Sequence, residues 1–287
     1  MWSTLISTLI SMLIEPLQSE FIRNAIGVSM MIGVLCPVVG TYLIVQRMAL
    51  MGDVMAHCVL PGLSIAAFFG VDRSIGAFVS SMLGSFFVSW VRSQSRVKVD
   101  SAMALTFSTF FAIGVTLITL LKNKLDLDRF LFGDILTVTL NDIYATAAIA
   151  MLVLGAIYLF YKELLYYTFD ATGAEAVGLP IKWLHLGMMM GITLTIITSM
   201  QVVGVLLVIA LLIGPALTAY LVTQELHHMM FLGSGIGMVS SLVGIYLSYY
   251  LNLPSGPAIV LVSSSLFLLT FLFTTRSTFL KRTKSHY

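Results

Sequence analysis

Long apolar runs separated by short polar joints dominate the chain. Runs long enough to approach the roughly 20 residues that cross a bilayer core fall at 21–44, 54–69, 73–92, 101–121, 141–161, 182–200, 202–222, 229–251 and 256–274. The joints carry local stop and start signals. Asp100 and Asn141 each stand where a helix N-cap is wanted, and Asn252-Leu-Pro254-Ser-Gly256-Pro257 interrupts helix between the last two runs. Pro37, Pro61 and Pro215 lie inside runs and predict kinks or breaks. In lipid such breaks are tolerated only where protein or a water-filled cavity satisfies the freed backbone groups. The pattern predicts an all-α, polytopic membrane protein with 8 or 9 transmembrane helices, since one or two runs need not cross fully.

Residues 1–14 are apolar with interspersed Ser and Thr, lack a basic start and a small-residue cleavage site, and end at Glu15-Pro16. They read as a retained helix, within an N-terminal segment 1–20, that lies in the membrane interface rather than as a signal peptide.

Composition agrees: 59% of positions are hydrophobic, 10% are charged, and the mean hydropathy is +1.00. A net charge of +2 says nothing about an acidic partner, so the placement of the basic residues matters more than their sum; no nucleic-acid partner is expected. If all nine runs cross and the basic tail 276–287 is cytoplasmic, that side holds Arg47, Arg92, Arg96, Lys98, Lys162, Lys182, Arg276, Lys281, Arg282 and Lys284. Arg23, Arg73, Lys122, Lys124 and Arg129 fall outside, which obeys the positive-inside rule. The same assignment sets Asp53 near the cytoplasmic end of a short second span. Cys36 and Cys58 lie in apolar sequence and suggest no disulfide framework.

The chemistry concentrates at Asp53 and His57, four residues apart in apolar sequence. On a helix they share one face, one turn apart, and ionisable groups within a membrane segment mark function by default. A carboxylate oxygen plus an imidazole nitrogen suits manganese, iron or zinc better than magnesium or calcium, which prefer all-oxygen sites. One Asp and one His are too few to hold such an ion. Two copies about a dimer axis supply four ligands. On the residues alone, the pair reads equally as structural glue in which His57 bonds Asp53 or a neighbouring helix.

Other candidates are weaker. His227-His228 follows Gln224-Glu225 at a helix end, where solvated histidine is ordinary; His185 lies beside Trp183 near an interface, and His286 lies in the tail. Asp134, in Leu131-Phe-Gly-Asp-Ile-Leu136, either caps a short helix or helps admit a cation, with Asp126 and Asp128 making that outer entrance acidic. Residues 162–182 contain an Ala-rich stretch with Glu175 in a first turn and Gly178-Leu-Pro180 as a stop, predicting a short cytoplasmic helix that is either a connector or a docking element. Val38-Val39-Gly40 and Val202-Val203-Gly204 form a faint internal echo. The 17 methionines read as packing fillers rather than a ladder for monovalent copper. No Walker A motif is present, so the chain itself is not expected to hydrolyse nucleotide, and neither His-Glu-x-x-His nor Gly-x-Ser-x-Gly occurs.

Arg47-Met-Ala-Leu-Met-Gly-Asp53-Val-Met-Ala-His57-Cys-Val-Leu-Pro61-Gly62 resembles the signature of the integral-membrane permeases of bacterial manganese, zinc and iron ABC importers. Ser108-Thr-Phe-Phe-Ala-Ile-Gly114-Val, Leu131-Phe-Gly-Asp-Ile-Leu136, Val203 through Ile213 with Pro215-Ala216, and Pro254-Ser-Gly-Pro-Ala-Ile-Val260 match later blocks in the same order, covering roughly residues 21–275. The resemblance implies a permease of the metal-chelate, type II-like class in a multi-pass bacterial plasma membrane. It implies a homodimer, two copies of a separate cytoplasmic ATPase, and an extracytoplasmic solute-binding protein that delivers metal. The family's metal ligands carry over onto Asp53 and His57, and its ATPase-coupling helix onto about residues 171–180, with Asp170, Glu175 and Gly178. Metal is cargo, with no permanent cofactor implied. Ala56 stands where relatives often have Ser, and Gly214-Pro215-Ala-Leu-Thr replaces a Thr/Ser-Pro-Ala-Ala-Thr pattern, which puts hydroxyl support of the ligand His in doubt. Met200-Gln201 before the Val-Gly run resembles the manganese branch, giving manganese ahead of zinc and zinc ahead of iron. The rivals are a secondary metal-ion transporter driven by an ion gradient, with Asp53 as proton carrier, and an intramembrane metalloenzyme, which lacks a nucleophile or general base near Asp53.

Overall fold

A computed structural model describes residues 15–121, 133, 135 and 138–284, with side chains described to residue 275, residue 17 excepted. The helices are α1 (Glu20–Val45), α2 (Met51–Phe69), α3 (Arg73–Gln94), α4 (Val99–Leu120), α5 (Leu140–Leu159), α6 (Tyr161–Phe169), α7 (Ala171–Ala176), α8 (Ile181–Val203), α9 (Val205–Val222), α10 (Leu226–Leu251) and α11 (Ser255–Lys284). Among the described residues there is no strand, and nine helices are long and apolar enough to cross a membrane. All nine apolar runs are therefore helical over nearly the predicted ranges, including the first, which forms the 26-residue α1. The segment 1–14 lies outside the described residues, and the tail continues α11 as helix to Lys284.

The caps differ from expectation. At α5 the cap is Thr139, not Asn141: Thr139 Oγ1 accepts from the Asp142 amide while Asp142 Oδ2 accepts from the Thr139 amide at 2.9 Å. This reciprocal box satisfies two otherwise orphaned donors and starts the helix earlier. Asp100 sits in the first turn of α4, whose N-cap is Lys98, so its carboxylate faces the positive helix end without capping it. The three prolines stay inside uninterrupted helices. A hydroxyl back-bonds to the helix close to each, from Thr41 to Pro37 O, Ser64 to Leu60 O and Thr218 to Gly214 O, the local pattern by which Ser and Thr accommodate bends inside a helix. The break comes instead at Gly204 (φ 79°), between α8 and α9. Gly40, by contrast, lies within α1, so the two halves of the Val-Val-Gly echo occupy unlike positions.

Two helix groups build the bundle. In the first, α1 packs along α10 and α9, and α11 completes the group; in the second, α2 lies between α3 and α4. α8 touches both groups, and α5 packs on α1 and α8. Small residues permit these approaches, as is usual between membrane helices. A Cβ on Gly40 would strike the Leu212 carbonyl, one on Gly237 would strike the Gly33 carbonyl, and one on Gly62 would strike the Gly76 carbonyl.

Candidate functional site

α2 carries both sequence-predicted ligands. His57 Nδ1 lies 3.2 Å from Asp53 Oδ1 and 3.0 Å from the Asp53 carbonyl oxygen. With two oxygens facing Nδ1, the proton belongs on that nitrogen, and Nε2 keeps its lone pair. The ring is walled by Phe107 and Phe111 of α4, whose centroids are 4.7 and 5.7 Å away, both edge-on. The wall leaves a partial opening: the Asp53 side chain is 37% exposed and that of His57 14%, although most of α2 is buried.

The pair sits level with the middles of the neighbouring long helices, deeper than its place near the start of α2 suggests. Met55, between the two ligands, has its carbonyl bonded by Ser81 Oγ at 3.1 Å and its sulfur approached by Thr193 Oγ1 at 3.7 Å. Ser81 and Thr193 are near the middles of α3 and α8, and Phe107 and Phe111 bracket the middle of α4. Gly52 approaches Leu212, near the middle of α9. The cause is the turn before α2, which is sunk into the bundle. Gln46 Nε2 reaches Thr168 Oγ1 and Met188 Sδ, each at 3.4 Å. Met188 is about two turns into α8, roughly 10 Å along it. Residue count along α2 therefore understates the depth of Asp53, because α2 begins inside the bundle rather than at its end.

Several supporting residues were not anticipated. Ser80 Oγ donates to Cys58 O at 2.6 Å and Ser81 Oγ to Met55 O, so hydroxyl support reaches the backbone on either side of His57 from α3. Ala56 is fully buried, and a serine hydroxyl is not needed there to hold α2. The signal was present in α3, where Ala77, Ser80, Ser81, Gly84 and Ser85 form a buried small-residue stripe. Gly214 likewise has a packing reason, since a Cβ there would lie 2.7 Å from Ser263 Oγ.

The short helix predicted ahead of the Gly178-Leu-Pro180 stop is present, but it starts at Ala171, so Glu175 falls in its last turn rather than its first. α7 spans Ala171–Ala176, with Asp170 Oδ1 accepting from the Gly173 amide at 2.9 Å as its N-cap. Gly178 follows at φ 88°, where Leu179 N bonds back to Ala174 O, a glycine-dependent helix stop. Glu175 is exposed, and Ala174 anchors the turn by burial. Asp134 lies outside the described residues. Its neighbour Gly133 packs on the backbone of Val203 and Gly204, and Ile135 is buried.

His185 is no bystander, since Tyr167 Oη lies 2.7 Å from its Nδ1 and Ser89 Oγ lies 3.0 Å from its Nε2. Burial pushes the Tyr167 hydroxyl above the ordinary tyrosine range, with Arg92 pulling the other way. Glu225, His227 and His228 are, among the described residues, the one trio of such side chains close enough for a shared ion. All three are exposed, with Glu225 Oε2 3.2 and 3.0 Å from the two rings. They cluster in the first turn of α10, whose positive end opposes a bound cation, so the carboxylate is better seen as a partner for the imidazoles.

Among the described residues, nine membrane-length helices surround a carboxylate–imidazole pair, which defines the class as a polytopic membrane protein with ionisable groups inside its bundle. Residues 18–274 match the ABC 3 transport family, and the chain belongs to that family. The manganese transport system membrane protein MntC of Listeria monocytogenes is 42% identical over 90% of this chain and 92% of its own length. A probable iron transport system membrane protein of Haemophilus influenzae is 37% identical over 90% and 95%. Among solved structures, PsaBC from Streptococcus pneumoniae in complex with Fab aligns with a TM-score of 0.82 at 36% identity, covering 92% of this chain and 95% of that one. The chain is thus a transport permease rather than a catalyst, and family membership displaces both the gradient-driven transporter and the metalloenzyme.

Proposed function

We propose that this chain is the permease of a bacterial plasma-membrane ABC importer for a divalent transition-metal ion, manganese first, then zinc, then iron. Two copies form the path, and Asp53 and His57 from each hold the ion transiently. A separate cytoplasmic ATPase, two copies per dimer, drives the cycle through α7 with Asp170, Glu175 and Gly178, and an extracytoplasmic binding protein supplies the metal. The observation that carries the reading is the half-open Asp53–His57 pair level with the middles of the neighbouring helices: two ligands per chain, too few for an ion, on a face that a second copy can complete. The mixed oxygen and nitrogen donors fit first-row divalent ions. The manganese and iron relatives support the same cargo class. Sharing four ligands between two subunits also allows release when the subunits move. Asp134 at the outer end is a candidate entrance group. The test is uptake competition among manganese, zinc and iron in cells lacking other importers. Preferential manganese uptake is expected; uptake insensitive to all three metals contradicts the reading.

A further inference from the structure

We propose that His185 is a positioning residue that ties the cytoplasmic α6–α7 element to the α2–α3 pair bearing Asp53 and His57. This rests on the metal-permease reading above and adds to it the route by which movement at α7 reaches the ligands.

His185 is half-buried, and both ring nitrogens are engaged, one by Tyr167 of α6 at 2.7 Å and the other by Ser89 of α3 at 3.0 Å. A neutral imidazole has one N–H and one lone pair, and each hydroxyl can serve as donor or acceptor. Both contacts are therefore satisfied in either tautomer, and the ring forms a two-ended tether. On the α3 side, Ser80 and Ser81 bond the Cys58 and Met55 carbonyls, which flank His57. On the α6 side, Thr168 follows Tyr167 and receives the contact from Gln46, in the turn that leads into α2. Two residues beyond Thr168, Asp170 caps α7.

The last turn of α6 thus has two polar attachments. One leads to the turn preceding Asp53, and the other leads through His185 to the helix that holds the backbone around His57. Apolar contacts such as that of buried Leu164 permit sliding, whereas directional bonds in a low-dielectric interior resist being broken singly. A displacement of α7 is transmitted as a shift of α3 against the α1–α2 turn, which alters the Asp53–His57 geometry.

The experiment uses the complete importer in proteoliposomes, with Mn²⁺ uptake and ATP hydrolysis measured on the same vesicles. Tyr167→Phe and Ser89→Ala are each expected to lower ions moved per ATP by roughly two- to thirtyfold, the span reported for coupling-network changes. Equilibrium Mn²⁺ binding, basal hydrolysis and complex assembly are expected to stay unchanged. The double variant should be no worse than the poorer single one, because both cut the same tether, and His185→Gln should retain more of the ratio than His185→Leu. An unchanged ratio in both single variants, multiplying losses in the double, or equal loss in the two His185 variants overturns the proposal. Failure of the metal-site reading is separately visible, as Mn²⁺ binding that survives Asp53→Ala.

Discussion

His57 Nδ1 lies 3.2 Å from Asp53 Oδ1, one helical turn back along α2. The carboxylate orients the imidazole and leaves Nε2 as the free donor, the arrangement in which a second oxygen acceptor raises ligand basicity. The two residues are therefore coupled, and their substitutions should not add. Asp53→Asn, which weakens the acceptor behind Nδ1, is expected to lower Mn²⁺ affinity by about 10- to 100-fold; His57→Gln, which removes a ligand, should cost more, with the double variant little worse than His57→Gln. Equilibrium binding to the purified permease checks this, and independent, multiplying effects would argue for separate sites.

The aromatic wall predicts a graded effect. Phe107 presents an edge to His57 at 4.7 Å, and such contacts contribute about 0.5–1.5 kcal/mol. Phe107→Ala should weaken Mn²⁺ binding roughly two- to twelvefold by loosening the ring, which is the same energy range expressed as an equilibrium ratio. Phe107→Tyr should retain most of the affinity. A titration in which both variants match the parent would show that the wall does not restrain His57.

At Gly40 the constraint is steric. A Cβ there collides with the Leu212 carbonyl, so α1 and α9 must separate to accept one. Gly40→Val should destabilise the permease by about 1–3 kcal/mol, the usual cost of forcing bulk into a packed interior. Gly155→Val, at a glycine with open space around it, should cost far less. Detergent unfolding curves compare the two; equal stability would mean that the α1–α9 approach is looser than described.

For α7, the exposed Glu175 is the natural reporter of docking. A cysteine at position 175 should crosslink to the ATPase in assembled complexes. Failure at every position from 171 to 179 would count against α7 as the docking element.

Most of the architecture was legible because the bilayer demands it. Apolar runs near span length, separated by charges and turn residues, leave helices as the natural solution, and all nine ranges were recovered within a few residues. Asp53 and His57 stood out because ionisable groups are expensive in such sequence. What the sequence concealed was depth and contact. Nothing in Gln46-Arg47-Met48-Ala49-Leu50 announces a sunken turn. Burial of Met48 and the contacts of Gln46 with Thr168 and Met188 are tertiary facts. His185 was passed over for the same reason, since its partners Tyr167 and Ser89 lie on other helices. The proline breaks were overestimated because Pro37, Pro61 and Pro215 are buried within helices packed on their neighbours, and tertiary packing holds a helix through a proline that its local sequence would break.

If one ion is shared by two copies of Asp53 and His57, the metal stoichiometry of the importer is fixed at one ion per permease pair. Mn²⁺ binding to the purified importer can be followed by loss of the free-ion paramagnetic signal, with His227→Ala and His228→Ala in the background to silence the exposed cluster. One Mn²⁺ per two permease chains is expected, lost when either Asp53→Ala or His57→Ala is introduced. One tightly held ion per single chain, or undiminished binding in both variants, would contradict it.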